Sequence, residues 1–390
     1  MLKQAFVGAT IVTPFEQRTN ATLLITGSQV EAVLDQYQWE NQHRSRGQMV
    51  VHDVAGHWIC PGLIDIHVHG AASHRFTDGA AAVAAIAEAL PAQGITAFAA
   101  TISTESLTTM EQTIKAITAF GQGGARCVGI HLEGPFINPV RRGAQKLEYI
   151  LPPSVAQTAL WLELAAGKIK IVSLAPEMPG AAAVISLLRS HGVVVAAGHS
   201  DGTFAAMGAA FRSGVSLVTH TFNGMRPFHH REPGLAGAAL VSKDIDCELI
   251  GDGVHVHPGA MQVLLNAKGL ERVVLVTDGC EFLGMPDGQY TKGDGRSVAV
   301  NNGRVTLSDG TLAGSASPMI QDVHTVKKTL GLSWPEVVRL ATINPARILG
   351  CDHCLGSLVP GYAADFVVLD DVGEVSSTYV NGQQVYRRTI

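Results

Sequence analysis

The sequence predicts an α/β protein whose main part is a (β/α)8 barrel of the TIM type. Between roughly Gly62 and Gly279 one pattern recurs: a short run of β-branched residues, a break rich in Gly or polar residues, and a stretch rich in Ala and Leu. Near-continuous Val and Ile runs are typical of parallel strands that helices cover on both faces. Eight such units in 390 residues favour one barrel, with a doubly wound open sheet as the competing arrangement.

Each unit begins with a predicted strand. In chain order the eight strands are LIDIHVH (63–69), ITAFAAT (95–101), CVGIHLE (127–133), IKIVSLA (169–175), VVVAAGH (193–199), VSLVTH (215–220), DCELIGDG (246–253) and RVVLVTD (272–278). The helical stretches between them include AAAVAAIAEAL (80–90), LTTMEQTIKAITAF (107–120) and AAAVISLLRS (181–190).

The two ends of the chain have a different pattern, made of short strands and turns. Residues 1–57 contain AFVGATIV and ATLLITGSQVEAVL, and residues 355–390 contain GYAADFVVLD and an Asn-Gly pair at 381–382 that predicts a hairpin turn. Neither end has enough strands for a core of its own. We therefore predict one small β-sandwich domain built from 1–57 and 355–390, which flanks a barrel domain over 58–354.

The segment that follows the eighth strand is predicted to close the barrel. Residues 288–315 have the pattern of an inserted hairpin. Two predicted helices follow it, over 317–331 and 333–350.

Composition argues against several classes of function. The chain is 46% hydrophobic and 16% charged, with a formal charge of −5 and no basic run, so neither nucleic acid nor an anionic membrane is an expected partner. The N-terminus lacks the pattern of a secretory leader, and no window has the length and hydropathy of a membrane span. These features predict a soluble, cytoplasmic protein.

The six cysteines are scattered through the chain, which does not favour a disulfide framework. The CDHC sequence at 351–354 has the spacing of half a zinc knuckle, but no second pair accompanies it. Free thiols are the interpretation we prefer.

Two histidines end the first strand. His67 and His69 are separated by one residue, and side chains at i and i+2 of a strand point to the same side. In a barrel of this kind the reactive groups gather at the carboxyl ends of the strands. Both imidazoles are therefore expected to face the mouth of the barrel.

Other strand ends carry similar groups: Glu133 on the third strand, His199 on the fifth, His220 on the sixth and Asp278 on the eighth, with His255 in the loop after the seventh. Any one strand-end histidine is more often a hydrogen-bonded core residue than a ligand. Four histidines and two carboxylates at the ends of five strands are harder to explain that way. Imidazole and carboxylate are ligands of Zn²⁺ or Fe²⁺, so we predict a divalent metal site.

Asp278 is open to two interpretations. In the sequence VTDG it is either a turn or helix-capping residue or a catalytic carboxylate. A nearby cation would keep it ionised, so that it could take a proton from water and later deliver it to a leaving group. We favour the catalytic role.

The motifs that carry this chemistry resemble those of the amidohydrolase superfamily. More narrowly, the chain is similar to the N-acetylglucosamine-6-phosphate deacetylase family. The matching motifs are PGLIDIHVHG (61–70), HLEGPF (131–136), AAGHSDG (196–202), THTFNGMRPFHHREPGLAG (219–237), GDGVHVHP (251–258), VTDG (276–279) and LAGS (312–315). They follow one another in order over almost the whole chain.

The resemblance implies roles for the metal ligands. Glu133, His199 and His220 would bind the main metal, and His67 with His69 would add a second one that Glu133 bridges. One or two ions per chain, Zn²⁺ or Fe²⁺, are therefore expected. In the same family Asp278 would act as general base and then as general acid.

The resemblance also implies substrate contacts. The backbone at Asn223 and Gly224, His255, and the segment Leu312, Ala313 and Gly314 would contact a phosphorylated amino sugar. Arg231 would reach its phosphate from the neighbouring subunit, which predicts a homodimer; a guanidinium suits a phosphate because it donates two parallel hydrogen bonds.

One position departs from many members of that family. Where they have a histidine that contacts the substrate carbonyl, this chain has Gln145, in RRGAQ. Glutamine can donate a hydrogen bond to a carbonyl but carries no charge. We keep Gln145 as a predicted substrate contact.

The expected reaction is removal of the acetyl group from N-acetylglucosamine 6-phosphate, which gives glucosamine 6-phosphate and acetate. Three alternatives stay open: a deacetylase for the galacto epimer, an amidohydrolase for a different amide, and a non-catalytic barrel. The HREPG segment argues for a phosphorylated substrate, and the complete set of metal ligands argues against a non-catalytic barrel.

Overall fold

The computed structural model describes residues 2–42, 49–293, 295–308, 310 and 312–389. Its strands are β1 (Lys3–Val12), β2 (Gln17–Thr26), β3 (Gln29–Leu34), β4 (Met49–Asp53), β5 (Trp58–Pro61), β6 (Leu63–Val68), β7 (Gly70–Ala71), β8 (His74–Arg75), β9 (Ile95–Ser103), β10 (Arg126–Glu133), β11 (Ile169–Leu174), β12 (Val194–Ala197), β13 (Val215–Val218), β14 (Asp246–Ile250), β15 (Val273–Val276), β16 (Gly288–Thr291), β17 (Ser297–Asn301), β18 (Arg304–Leu307), β19 (Leu312–Ser315), β20 (Phe366–Leu369), β21 (Val375–Val380) and β22 (Gln383–Arg387).

The α-helices of the described chain are α1 (Gln36–Gln42), α2 (Ala80–Ala89), α3 (Leu107–Ala119), α4 (Val155–Ala165), α5 (Ala181–Ser190), α6 (Phe204–Ser213), α7 (Gly234–Val241), α8 (Pro258–Lys268), α9 (Met319–Leu330), α10 (Trp334–Ala341) and α11 (Ile343–Ile348). Short 3₁₀ helices span Phe76–Asp78, Leu90–Gln93, Pro139–Arg141 and Leu147–Tyr149. None of the described helices is both long and apolar enough to cross a bilayer.

The eight predicted strands form one parallel sheet, in the order β6, β9, β10, β11, β12, β13, β14 and β15. The two edge strands meet through a parallel bridge between Val68 and Gly279. There the N–H of Asp278 donates to the carbonyl of His67 at 2.9 Å. The sheet therefore closes into the predicted barrel, and the open arrangement is excluded.

The side chains of each strand alternate between two apolar layers. On β9, Phe98 and Ala100 pack with the surrounding helices, whereas Ala97 and Ala99 belong to a cluster that draws on strands all round the barrel. Successive side chains of a strand point to opposite faces, so the first layer lies outside the sheet and the second inside it. The inner layer fills the barrel below its mouth.

The outer helices begin where the sequence offers a cap. Ser106 accepts a hydrogen bond from the N–H of Thr109 at the start of α3, and Thr203 does the same for Ala206 at the start of α6. On α3 the buried residues recur every three or four positions, as Met110, Thr113, Ile114 and Ile117. One face of the helix is thereby packed on the barrel.

A second sheet, largely antiparallel, combines the two ends of the chain. Its order is β22, β21, β20, β5, β1, β2 and β3, with β4 paired to β1. The predicted Asn-Gly turn joins β21 to β22, with φ values of 52° at Asn381 and 71° at Gly382. Positive φ at both positions is the backbone that an Asn-Gly hairpin turn requires.

An aromatic cluster fixes this sheet around its own core. The ring of Phe6 lies 4.9 Å from that of Phe366 and 5.0 Å from that of Tyr379, both edge-to-face. The sheet also includes β5, which pairs with β1 and β20. The division into two domains at 57/58 and 354/355 stays a prediction; residues 1 and 43–48 and residue 390 of the predicted sandwich lie outside the described residues.

Two predicted elements differ from the structure. The insertion after the eighth strand is a four-stranded antiparallel sheet, β16 to β19, rather than a single hairpin; its residues 294, 309 and 311 lie outside the described ones. The helix expected over 333–350 is two helices, broken at Thr342 (φ −133°, ψ −83°). Pro345 explains the break, because it has no N–H to donate to the carbonyl of Ala341.

Candidate metal and catalytic site

A cavity of about 320 Å³ lies at the mouth of the barrel, where the strands end. Twelve of the residues predicted from the sequence line it: His69, Glu133, Gln145, His199, His220, Asn223, Gly224, His255, Asp278, Leu312, Ala313 and Gly314. His67 lies below its floor and is completely buried. The structure thus brings nearly the whole predicted site together.

Glu133 is the centre of the site. Its Oε1 lies 2.9 Å from Nε2 of His199 and 3.0 Å from Nε2 of His220. The two Nε2 atoms are 3.1 Å apart. Two nitrogens bound to one tetrahedral Zn²⁺ would lie roughly 3.3 Å apart, since each Zn–N bond is about 2.0–2.1 Å. The three side chains are therefore spaced as metal ligands.

The second oxygen of Glu133 faces the first strand. Oε2 lies 3.4 Å from Nε2 of His69, and the Nε2 atoms of His67 and His69 are 3.2 Å apart. Oε1 is 3.6 Å from Nε2 of His67. Glu133 stands between two pairs of imidazoles, in the position of a bridging ligand.

The tautomer of His199 suits a ligand. Its Nδ1 lies 2.8 Å from the carbonyl oxygen of Arg141, which can only accept, so Nδ1 carries the proton. The lone pair of a neutral His199 is then on Nε2, which faces Glu133. An imidazole held through its other nitrogen is typical of metal sites in proteins.

Three of the predicted site residues stand at equivalent backbone positions. His199, His220 and Asp278 each come two residues after the last residue of a strand, namely β12, β13 and β15. All three have positive φ, at 47°, 30° and 47°. Left-handed backbone is uncommon for residues other than Gly, and such strain clusters at functional sites. The positive φ turns the backbone at each of the three residues at the mouth of the barrel, while the side chain stays directed at the cavity.

Charge around Asp278 favours its ionised form. Burial raises the pKa of this carboxyl, but the charge of His67 and the hydrogen bond and charge of His69 outweigh it and hold the pKa well below its ordinary value. Burial likewise opposes ionisation of Glu133, and His199, His220 and His67 lower its pKa well below the usual range. Both carboxylates are charged at neutral pH.

One wall of the cavity carries a fixed histidine. Nδ1 of His255 lies 2.6 Å from Oδ2 of Asp252, whose Oδ1 also accepts the backbone N–H groups of Val254 and His255 at 2.8 and 2.9 Å. Burial lowers the pKa of His255, but Asp252 outweighs it and the pKa is raised. His255 therefore offers a donor to an anionic ligand.

Gln145 occupies the rim beside His199. Its Oε1 accepts the N–H of Thr104 at 3.1 Å, which turns the amide nitrogen toward Nε2 of His199, also at 3.1 Å. The amide thus points a donor into the cavity. Gly224 lines the same cavity with φ 56°, and a Cβ there would be 2.9 Å from Nδ1 of His199. Only glycine leaves room for that imidazole.

The inserted sheet supplies another wall, through Leu312, Ala313 and Gly314. Lys292 binds it to the barrel, with Nζ donating to the carbonyl of Ala313 at 3.0 Å and pairing with Glu281 at 3.3 Å. Arg231 lies elsewhere, on an exposed loop where its Nη1 is 3.1 Å from Nε2 of His230. Within one chain, Arg231 is not among the residues that line the cavity.

The sequence matches a family model described as the Amidohydrolase family over residues 58–385. The chain belongs to the amidohydrolase family. N-acetylglucosamine-6-phosphate deacetylase from Bacillus subtilis (strain 168) is 38% identical to it over 331 residues, 83% of each chain. N-acetylgalactosamine-6-phosphate deacetylase from Escherichia coli O157:H7 is 37% identical over 329 residues, 83% of this chain and 87% of that one.

Solved structures agree with this amidohydrolase fold over nearly its full length. N-acetylglucosamine-6-phosphate deacetylase from Pasteurella multocida superposes with a TM-score of 0.90 at 27% identity and covers 99% of this chain and 100% of its own. The D267A mutant of the Mycobacterium smegmatis enzyme, in complex with N-acetyl-D-glucosamine-6-phosphate, gives 0.89 at 30% identity with the same coverage.

Two residues of this amidohydrolase site were missed by sequence reasoning. Glu248 of β14 and His131 of β10 are fully buried and form a third cluster with His67. The signal was present, since a carboxylate within the apolar run DCELI and a histidine two residues before Glu133 are both unusual in a buried strand. Burial and the charge of His67 lower the pKa of His131 to about 4, so this imidazole is neutral.

All six cysteines of the amidohydrolase are free thiols, as the sequence predicted. Burial raises the pKa of Cys60, Cys247 and Cys280 to about 12 in each case. Thiols with such pKa values are poor nucleophiles at neutral pH. Cys280 lines the cavity, so its protonated state argues against a covalent cysteine mechanism there.

Proposed function

We propose that this amidohydrolase removes the acetyl group from N-acetylglucosamine 6-phosphate and releases glucosamine 6-phosphate and acetate. The observation that carries the proposal is the position of Asp278 beside the cluster of Glu133, His67 and His69 at the floor of one cavity. Relatives that align over more than four-fifths of the chain bear the name of this activity.

A divalent metal fits the residues of this floor. Glu133, His199 and His220 would hold one ion, and His67, His69 and the other oxygen of Glu133 would hold a second. We propose one or two ions per chain, Zn²⁺ or Fe²⁺, because both accept imidazole and carboxylate ligands. Such an ion lowers the pKa of bound water and polarises an amide carbonyl.

Asp278 would move the proton. Its carboxylate is ionised and stands at the cavity floor, so it can take a proton from the attacking water. It would then deliver that proton to the amide nitrogen as the C–N bond breaks. Acetate and the free amine leave, and no covalent intermediate with the protein is needed.

The rest of the cavity would orient the sugar. The Gln145 amide would donate a hydrogen bond to the acetyl carbonyl, and His255 with the backbone at Asn223 and Gly224 would contact the sugar phosphate. Leu312, Ala313 and Gly314 would form the wall against which the sugar ring lies. Each of these residues lines the same cavity as Glu133 and Asp278.

Arg231 would complete the phosphate site from a second copy of the chain. Its loop is exposed and carries Phe228, a large apolar side chain that is 57% exposed. An interface that covers this loop would bury Phe228 and bring a guanidinium to a neighbouring cavity. We therefore propose a homodimer, with Arg231 contributed across the interface.

The free cysteines fit a compartment that keeps thiols reduced. We propose that the enzyme acts in the cytoplasm. Its net charge of −5 and the absence of basic runs in the sequence do not favour nucleic acid or an anionic membrane as a partner.

The test is acetate release by the purified chain. We expect rapid release from N-acetylglucosamine 6-phosphate, slower release from the galacto epimer, and much slower release from N-acetylglucosamine without the phosphate. A higher kcat/KM for the galacto epimer would assign the enzyme to that sugar, as in the relative from Escherichia coli O157:H7. Failure to cleave any of the three would reject the proposed function.

A further inference from the structure

Glu248 is a carboxylate buried inside the barrel with no cation of Lys or Arg paired to it among the described residues. It lies in the middle of β14, and its side chain is completely buried. Burying a charge is costly unless hydrogen bonds and an opposite charge compensate it. What Glu248 contacts therefore indicates why the chain has it there.

One oxygen of Glu248 holds His67. Oε2 lies 2.9 Å from Nδ1 of His67, and both side chains are fully buried. A carboxylate can only accept, so Nδ1 of His67 carries the proton. The lone pair of a neutral His67 is then on Nε2, which faces His69 Nε2 at 3.2 Å.

The same oxygen also holds the chain at His220. Oε2 accepts the backbone N–H of His220 at 2.9 Å, and the backbone carbonyl of Glu248 accepts the N–H of Thr221, also at 2.9 Å. This is the turn at which His220 adopts positive φ, with its Nε2 3.0 Å from Glu133. One carboxylate thus supports a ligand of each metal group.

His131 does not turn this cluster into a metal site of its own. Its ring lies 4.7 Å from that of His67, but both of its nitrogens are already used. Nδ1 donates to the carbonyl of Ile66 at 2.9 Å, and Nε2 accepts from the hydroxyl of Ser173 at 2.7 Å. Glu248 is left to act on His67 and on the turn at His220.

We propose that Glu248 is a positioning residue that sets His67 as an Nε2 ligand and couples it to the turn that presents His220. The ion that contacts His67 and His69 would depend on this carboxylate more strongly than the ion at Glu133, His199 and His220 would. The inference rests on the metal site proposed above but not on the identity of the substrate.

The test is the Glu248→Gln variant, studied by metal binding. Glutamine keeps an oxygen that can accept from His67 and from the His220 backbone, but it lacks the charge that makes the imidazole a better ligand. Removing such an outer partner typically lowers metal affinity by about 10- to 100-fold. We expect that loss of affinity for the ion at His67 and His69, whereas the ion at Glu133, His199 and His220 should bind with wild-type affinity.

The measurement is a Co²⁺ titration of the chelator-stripped full chain, followed by absorbance and by metal analysis after dialysis. Asp322→Asn is the matched control, because Asp322 is also a completely buried carboxyl but bonds to Ser317 rather than to a ligand. It should bind both ions as the wild type does. Circular dichroism on each metal-free variant reports folding separately.

A double-mutant cycle decides whether Glu248 acts through His67. If it does, Glu248→Gln should have little further effect on metal affinity in a His67→Ala background. The inference would be overturned if Glu248→Gln left both affinities unchanged or weakened both ions equally. It would also be overturned if the effects of Glu248→Gln and His67→Ala were additive, or if His67→Ala alone bound metal as tightly as the wild type. Acetate release is measured in parallel, and its absence in the wild type would reject the proposed substrate alone.

Discussion

The carboxylate of Asp278 lies 3.2 Å from the imidazole of His69, so the last strand of the barrel faces the first at the cavity floor. The same oxygen is 3.4 Å from Nε2 of His67, whose carbonyl accepts the N–H of Asp278. These groups meet only because the sheet closes, since 209 positions separate Asp278 from His69 in the sequence. Closure of the barrel therefore brings Asp278, the proposed proton-transfer group, to the proposed metal ligands His67 and His69.

Replacing Asp278 with Asn should abolish turnover and preserve the fold. An amide cannot take a proton from water at neutral pH, and general acid–base catalysis contributes roughly 10²- to 10⁴-fold in rate. We expect kcat to fall by about that factor, with the ion at Glu133, His199 and His220 retained. Steady-state acetate release and metal analysis measure the two quantities. Activity within a factor of a few of the wild type would reject the proton-transfer role.

Glu133→Gln should remove metal rather than only slow the reaction. Glu133 contacts both imidazole pairs, and glutamine would direct an N–H group at one of them where a negative oxygen now stands. We expect less than one ion per chain after dialysis, against one or two in the wild type. Glu105→Gln is the control, since Glu105 lines the same cavity but pairs with Lys146. Equal metal content in both variants would show that Glu133 is not a ligand.

Asp252→Asn should weaken substrate binding more than it slows turnover. Asn keeps the size of the side chain but loses the charge that raises the pKa of His255, and its amide N–H opposes the Nδ1–H of that ring. Loss of about one charge-assisted hydrogen bond to the phosphate is worth roughly tenfold in KM. Initial rates over a range of substrate concentration test this. A fall in kcat at constant KM would place His255 in the chemical step instead.

The sequence predicted the elements of the site that local pattern controls. Buried strands and the i, i+2 spacing of His67 and His69 follow from periodicity, and the carboxyl ends of parallel strands meet at one face. The positive φ of His199, His220 and Asp278 could not be predicted this way, because none is a glycine and each depends on the strand beside it.

Pairing over long separations was also beyond the sequence. The bond between His67 and Glu248 spans 181 positions, and nothing near either residue indicates the other. The two errors of fold involve local signals. The turn at Asn302 and Gly303 between β17 and β18 makes the insertion more than one hairpin, and Pro345 interrupts the helix predicted over 333–350. Arg231 stays a prediction, since one chain does not contain the surface it would face.

Asp322→Asn should stabilise the protein increasingly as pH rises. Burial raises the pKa of Asp322 well above its ordinary value, and the charges of Asp252 and Asp65 raise it further, against the hydrogen bond from Ser317. Below about pH 4 this carboxyl is protonated in both states and contributes no pH dependence. At higher pH the unfolded chain ionises first, so the free energy of unfolding falls by about 1.4 kcal/mol per pH unit until the folded pKa is reached.

Asparagine removes that loss, because it is neutral at every pH. Urea unfolding at pH 4.5 and pH 7 measures the effect, and the comparison of variant with wild type cancels the contributions of other groups. We expect the difference in free energy of unfolding to shift in favour of the variant between the two values. A shift of the opposite sign would mean that Asp322 is ionised in the folded protein.

Mixing two inactive variants should restore activity if Arg231 acts across a dimer interface. In Asp278→Asn each cavity lacks its carboxylate, and in Arg231→Ala each lacks the guanidinium. A heterodimer of the two has one cavity with Asp278 from its own chain and Arg231 from the other. Because half of randomly mixed dimers are heterodimers with one complete site, about a quarter of the wild-type activity should return. Equilibration of the mixture before assay, with each variant alone as the control, measures it. No gain over the parent variants would mean that Arg231 serves its own chain or no site at all.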